Sequence, residues 1–434
     1  MDKLYLKTQI AMRQSEFPTD LIKRSNPLPV NVGKIVTIPG VRRCGKSSRM
    51  EAVVNDLLAS GVGRERILWV GFDDERLVRM TSDELDMIIE AYREMYPDMD
   101  MASVYMFFDE IQLIENWEYF VMRLYKHTSK NIYISGSNAT MLSTELKSAL
   151  RGWPLEEETL PLSFREFCHF RGVSTDGVLE GDLAKLRNAF AAYNNEGGFP
   201  EVVLTENPLH RAKILQTYFD TMLLKDLVEH YNLSNIEVLR YFLKRIMSNL
   251  TKPTSILAIH GDIKSRGLKV SKDNLYEWAA YACDIFMFLR VPSFSRSLQK
   301  IESSRPKYYC IDNGLRDAVL LPQSNDDGKK LENTVFLELY RRRTPVDRIF
   351  YYQGKGECDF VVQRGVEIGC LIQVTWEMSD EETRRREIAG LIEASEVTGC
   401  QNLLIITNDS SEESITEGGQ MIHVVPAWRW LLGK

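Results

Sequence analysis

GVRRCGKSS, residues 40–48, lies between two stretches of different pattern. Ahead of it, Ile35-Val36-Thr37-Ile38 is a short β-branched run that predicts a buried strand. After it, Arg49 to Ser60 sets Met50, Val53, Val54, Leu57 and Leu58 on one helical face. Strand, glycine loop and helix form the context a phosphate loop requires. Gly40, Gly45, Lys46 and Ser47 fill the pattern G-x-x-x-x-G-K-[ST] completely. The two glycines let the backbone curl so that N–H groups point at phosphate oxygens, and the helix N-terminus adds partial positive charge there. Val41, Arg42, Arg43, Cys44 and Ser48 complete the predicted cradle for ATP. Lys46 is expected to reach the β- and γ-phosphates, and the Ser47 hydroxyl to take one Mg²⁺ position.

A second run supports the first. Val104-Tyr105-Met106-Phe107-Phe108 is an apolar strand ending in Asp109-Glu110. At the C-terminal edge of a parallel strand, Asp109 is placed to hold Mg²⁺ and Glu110 to orient and polarise an attacking water. Two adjacent acids could also cap a turn; their pairing with the glycine loop favours the catalytic reading. Further strands are expected at Ile67–Phe72 and Ile132–Asn138. If the latter lies between the two strands already named, Ser137 or Asn138 sits near the γ-phosphate as a sensor. Both residues equally suit a cap for a helix over 139–150.

Bulk properties set limits on the rest. The 434 residues predict two to four domains. Apolar residues at 44% and charged ones at 26% are ordinary for a globular protein. A formal charge of −7 and a pI of about 5.6 exclude a global basic field of the kind many nucleic-acid binders show. The seven cysteines are scattered, with no C-x-x-C, which argues for reduced thiols and against a zinc site. No apolar run approaches a membrane span, and the N-terminus carries no signal-peptide pattern. A cytoplasmic protein without membrane partners is the expectation. Cys44, between Arg43 and Lys46 and next to a helix N-terminus, is either a reactive thiol of lowered pKa or a small loop filler.

Several phrases then resemble one family. DEIQLIENWEYFVMRLY from Asp109, ISGSNATML from Ile134, LRGW from Leu150, PLSFREF from Pro161 and GGFPEVVL from Gly197 follow the order found in certain AAA+ ATPases. In these archaeal and bacterial proteins the ATPase core precedes a domain of unknown function. The resemblance implies a core of the additional-strand, catalytic-glutamate type, consistent with Glu110 following Asp109. Where the family commonly has Arg-Gly-Arg or Gly-Arg, this chain has Arg151-Gly152-Trp153. Only Arg151 could carry over as a cation near the γ-phosphate, from this chain or a neighbouring one. A helix-terminal arginine stabilised by the dipole is the other reading.

The implied architecture is α/β: a P-loop NTPase core over 31–162 after a helical lead-in at 1–30, a helical lid over 163–235, a winged helix over 236–322, and a PD-(D/E)XK nuclease-like domain over 323–434. The lid rests on a stripe of Ile214, Leu215, Tyr218, Phe219, Met222, Leu223 and Leu227. The winged helix rests on helices followed by two strands, Phe286–Val291 and Lys307–Ile311, joined by a loop rich in cations (Arg290, Arg296, Lys300, Arg305, Lys307), and on the phrase KYYCIDNGL. Such a unit either binds DNA or serves packing. The C-terminal order of helix, three strands, helix and strand resembles the nuclease fold, whose acids and lysine gather Mg²⁺ and activate water. Residue by residue the match gives Glu332, Asp359, Gln373 and Thr375. Thr375 cannot replace the lysine, and Lys355 lies a strand away, so a degenerate site is expected. Two function classes remain: an ATP-hydrolysing switch acting on DNA, a protein partner or further copies of the chain, and an ATP-regulated nuclease.

Overall fold

Strands buried at every position need cover on both faces. β1 (Ile35–Pro39), β3 (Tyr105–Asp109) and β4 (Ile132–Gly136) are of this kind. With β2 (Ile67–Gly71) and β5 (Pro154–Glu156) they form a wholly parallel sheet in the order β2-β3-β4-β1-β5. Among the described residues four helices accompany it: α1 (Lys3–Glu16), α2 (Lys46–Ala59), α3 (Asp86–Met95) and α4 (Trp117–His127). Alternation along the strands sorts the side chains into two cores. Leu68, Val70, Met106, Phe108, Ile132 and Ile134 pack with α1, α3 and α4. Ile67, Trp69, Tyr105, Phe107 and Tyr133 pack with α2. On that second face Trp69, Phe107 and Tyr133 stack across three neighbouring strands, with ring centroids 5.4 and 4.8 Å apart. Each such pair contributes about 0.5–1.5 kcal/mol beyond its buried area.

This computed structural model describes residues 2–137, 152–177, 179–320, 326–409 and 412–433. The chain forms two units, Met1–Leu160 with Asp284–Phe286, and Pro161–Cys283 with Met287–Lys434. The lead-in helix proves to be part of the first unit. Leu6 and Ile10 join its core, and Gln14 Nε2 donates to the Ile67 carbonyl at 2.7 Å. The expected helix over 139–150 lies outside the described residues.

The second unit opens with α5 (Phe164–Phe170), α6 (Glu180–Glu196), α7 (Pro200–Leu204) and α8 (Pro208–Thr221), the last continued as a π-helix over Met222–Glu229. Three helices follow, α9 (Ile236–Ser248), α10 (Ile256–Ser265) and α11 (Lys272–Asp284). Then comes an antiparallel pair, β6 (Phe288–Val291) and β7 (Lys307–Cys310), with the short α12 (Leu298–Glu302) between them. α13 (Asn313–Val319) and α14 (Asp327–Arg342) lead to β8 (Asp347–Gln353), β9 (Glu357–Arg364), β10 (Glu367–Thr375), α15 (Glu381–Thr398) and β11 (Leu403–Thr407). That is the helix and strand order expected from the sequence. β12 (Glu413–Glu417), β13 (Gln420–Pro426) and α16 (Ala427–Leu431) extend it. The mixed sheet runs β12-β13-β11-β10-β9-β8. Among the described residues no helix is long and apolar enough to cross a membrane.

Candidate functional site

The glycine loop leaves the end of β1. At Gly40 a Cβ would lie 2.1 Å from the Thr159 carbonyl oxygen, so only glycine lets the two backbones run this close. Arg43 (φ 67°) and Gly45 (φ 93°) take left-handed conformations, and Gly45 then caps α2. The first N–H groups of α2 consequently face the loop. Val41, Cys44 and Lys46 are buried, Arg42, Gly45 and Ser47 half-buried, Arg43 and Ser48 exposed. The Lys46 ammonium donates to the Gly40 and Val41 carbonyls at 3.1 and 3.2 Å and lies 3.5 Å from Glu110 Oε1.

Two arginines absent from the motif fix the loop from behind. Arg49 donates to the carbonyls of Glu157, Glu158 and Asn26 and to Thr159 Oγ1, the last at 2.7 Å. Arg24 donates to the Cys44 and Leu160 carbonyls at 3.1 and 2.8 Å. Cys44 itself overturns the reactive-thiol reading. Its Sγ is fully buried against the Thr159 carbonyl at 3.1 Å, and burial pushes the thiol up despite the charges of Lys46, Arg24 and Arg49. The flanking cations are real, but desolvation of a thiolate outweighs them.

Asp109 and Glu110 close β3, and β4 does lie between β3 and β1. Ser135, within β4, ties the acidic pair together. Its Oγ accepts the Glu110 N–H at 3.1 Å and donates to Asp109 Oδ1. Asp109 also receives a hydrogen bond from Ser47. Burial, reinforced by the Glu110 charge, raises the Asp109 carboxyl to about 6. Burial also pushes Glu110 upward, but Lys46 and Arg42 outweigh it and hold that carboxyl below its ordinary range. Glu110 sits in a left-handed conformation (φ 53°) and accepts from Gln112 Nε2. Ser47 and Asp109, two hard oxygen donors in mutual contact, fit a Mg²⁺ ion. Ser137 is buried directly after β4, while Asn138 and Arg151 lie outside the described residues. Beside the first turns of α2, Leu21, Ile22, Leu28, Val30, Ala52 and Val53 help line a narrow pocket of about 50 Å³.

The second unit carries a separate cluster. Glu332 on α14, Asp359 on β9 and Gln373 on β10 line one cavity of about 1020 Å³. Thr375 turns its hydroxyl to the Glu377 carbonyl at 3.1 Å instead. The cation comes from a residue assigned to the basic hairpin. Lys307 is fully buried, with Nζ 3.0 Å from Glu332 Oε1, 3.0 Å from Asp359 Oδ1 and 2.8 Å from Glu357 Oε1. Tyr309 OH donates to Glu332 Oε1 at 2.8 Å, and Gln373 Nε2 donates to Glu387 on α15. Burial, with the Asp359 charge behind it, raises Glu332 to about 8. Burial lowers Lys307, yet the surrounding acids hold it well above its ordinary value. The hairpin is therefore not one exposed basic surface. Lys307 faces inward, Arg296 donates to the Val397 carbonyl at 3.1 Å, and Arg290, Lys300 and Arg305 stay exposed. Among the described residues no group of three or more His, Cys, Asp or Glu stands ready to hold a metal.

A parallel sheet with the glycine loop on β1, the acidic pair on β3 and a strand between them defines a P-loop NTPase of the AAA+ class. A family model described as an AAA domain matches residues 32–168, and one described as a domain of unknown function matches 187–326. The chain belongs to the AAA+ ATPase family together with the uncharacterized protein MJ1544 of Methanocaldococcus jannaschii. The two are 32% identical over 446 residues, 100% of this chain and 96% of that protein. An uncharacterized protein of Haemophilus influenzae is 28% identical over 92% of this chain and 94% of its own length. AMPPCP-bound DnaA from Aquifex aeolicus overlays loosely, with a TM-score of 0.29 at 14% identity over 58% of this chain and 82% of that one.

Proposed function

We propose that the protein is a Mg²⁺-dependent ATPase, ATP plus water giving ADP and phosphate, whose cycle gates an interaction with DNA or a protein partner. One observation carries the reading: Lys46, Ser47, Asp109 and Glu110 converge where β1 and β3 end. The loop from Gly40 to Ser48 cradles the phosphates, and the pocket beside Leu21 and Ala52 suits the base. Ser47 and Asp109 would hold Mg²⁺, which when bound would supply positive charge to the phosphates. Lys46 exchanges its contacts with the Gly40 and Val41 carbonyls for phosphate oxygens. Glu110, relieved of that ammonium, regains basicity and takes the proton of the attacking water. Ser135 keeps the two acids in register, and Ser137 or Asn138 senses the γ-phosphate. Arg151 supplies a cation there or caps its helix.

The helices over 163–235 serve as the lid and residues 236–322 as a winged helix. The nuclease-like domain over 323–434 does not cut. The Gln373 amide is engaged on both sides, by the Asp359 N–H and by Glu387, Thr375 carries no charge, and Lys307 is enclosed by carboxylates. Glu110→Gln tests the central assignment. Nucleotide binding is retained and turnover falls about 10²-fold or more, since an amide accepts no proton. Turnover at the parental rate would refute the role of Glu110.

A further inference from the structure

The cavity around Lys307 has an acidic floor and a basic mouth. Its lining carries five Lys or Arg against four Asp or Glu, on a chain whose formal charge is −7. Three of the cations, Lys252, Arg305 and Lys355, are exposed, and among the described residues none forms a close ion pair, although the charge of Lys355 also acts on Glu393. They come from three separate places in the sequence: the segment between α9 and α10, the approach to β7, and the turn between β8 and β9. Unpaired charges distributed in this way suit a ligand with several separated negative groups better than a single anion.

The floor would ordinarily repel such a ligand. A carboxylate pair like Glu332 and Asp359 normally needs a bound cation before phosphate can approach. Here the ammonium of Lys307 stands among Glu332, Glu357 and Asp359 at 2.8–3.0 Å. A divalent ion entering that ring would have to sit beside a fixed positive charge.

We propose that this cleft binds the phosphodiester backbone of nucleic acid, with Lys307 in place of a divalent cation, so that binding requires no metal. The inference deepens the nucleic-acid part of the proposed partner and rests on it.

The test is fluorescence anisotropy of labelled single-stranded and duplex oligonucleotides with the full chain, without ATP and with EDTA replacing Mg²⁺. Omitting ATP keeps the result independent of the ATPase assignment. Binding in EDTA that weakens with salt is expected. The triple variant Lys252→Glu/Arg305→Glu/Lys355→Glu, altered only at exposed positions, loses at least tenfold in affinity. Its log–log salt slope falls by about 2 to 3, the share of three phosphate contacts. Arg290→Glu/Lys300→Glu, on the hairpin outside the cleft, changes neither quantity. Binding that persists in the triple variant overturns the cleft while leaving nucleic acid as partner; absence of binding at low salt overturns both. Binding seen only with Mg²⁺, displacement of the oligonucleotide by polyglutamate at equal charge concentration, or Mg²⁺-dependent cleavage lost in Asp359→Asn also overturns it.

Discussion

Glu332→Gln should change how stability depends on pH. In the folded chain Glu332 is buried beside Asp359 and keeps its proton to about pH 8, although Lys307 and Tyr309 both donate to it. The unfolded chain gives up the same proton near the ordinary glutamate value of 4.5. Between those values the folded state binds more protons, so stability declines as pH rises, by slightly more than 1 kcal/mol per unit at most. The loss is complete above about pH 8. Glutamine carries no proton to lose, and its amide oxygen can still accept from Lys307 and Tyr309. The variant should therefore match the parent near pH 5 and exceed it at pH 8 by on the order of 2–4 kcal/mol, the lower end applying where Asp359 takes up part of the titration. Urea unfolding of both proteins at pH 5, 6.5 and 8 reads this directly. Parallel stabilities across the three values would show that the cluster does not hold the proton, and the geometry around Lys307 would need another account.

Other expectations follow from the proposed nucleotide site. Gly40→Ala would place a methyl group 2.1 Å from the Thr159 oxygen, so the loop must shift; a loss of about 1–3 kcal/mol in stability and a larger loss in ATP affinity are expected, measured by thermal melts and nucleotide titration. Brief alkylation followed by mass spectrometry should label the half-buried Cys283 and Cys370 ahead of Cys44, and preferential labelling of Cys44 would contradict its burial. Asp109 is protonated below about pH 6, where Mg²⁺ must compete with a proton. The gain in nucleotide affinity from Mg²⁺ should be constant above that pH and shrink below it, and a gain that is flat down to pH 5 would remove Asp109 from the metal site.

The glycine loop was legible because its information is local. Gly40, Gly45, Lys46 and Ser47 sit at fixed spacing, and the flanking strand and helix have clear periods. Ser135 was not, since it acts on Asp109 and Glu110 from a neighbouring strand 26 and 25 residues away. Lys307 was misread for a related reason. A lysine close to Arg305 and Lys300 looks like part of a solvated basic loop, and nothing nearby in sequence announces Asp359, 52 residues on. Of the two readings of Cys44, the reactive one fell for another reason: its charged neighbours are visible in the sequence, whereas the Thr159 segment that buries it is not. The mixed polarity of α1 likewise concealed that Leu6 and Ile10 belong to the core.

The folded-back posture of Lys46 acts as a threshold on what the loop accepts. Its ammonium already has two carbonyl acceptors and a carboxylate at hand, so the loop is internally satisfied before any ligand arrives. An incoming anion must surpass those contacts to recruit the lysine, and affinity is diminished by whatever that rearrangement costs. On the proposed function, a lone phosphate competes for the lysine less well than a longer chain of phosphates, because it offers fewer simultaneous contacts. A polyphosphate chain can engage the backbone N–H groups and Lys46 together, and the same movement uncouples Glu110. Discrimination against cellular phosphate and the arming of the base would then be a single event.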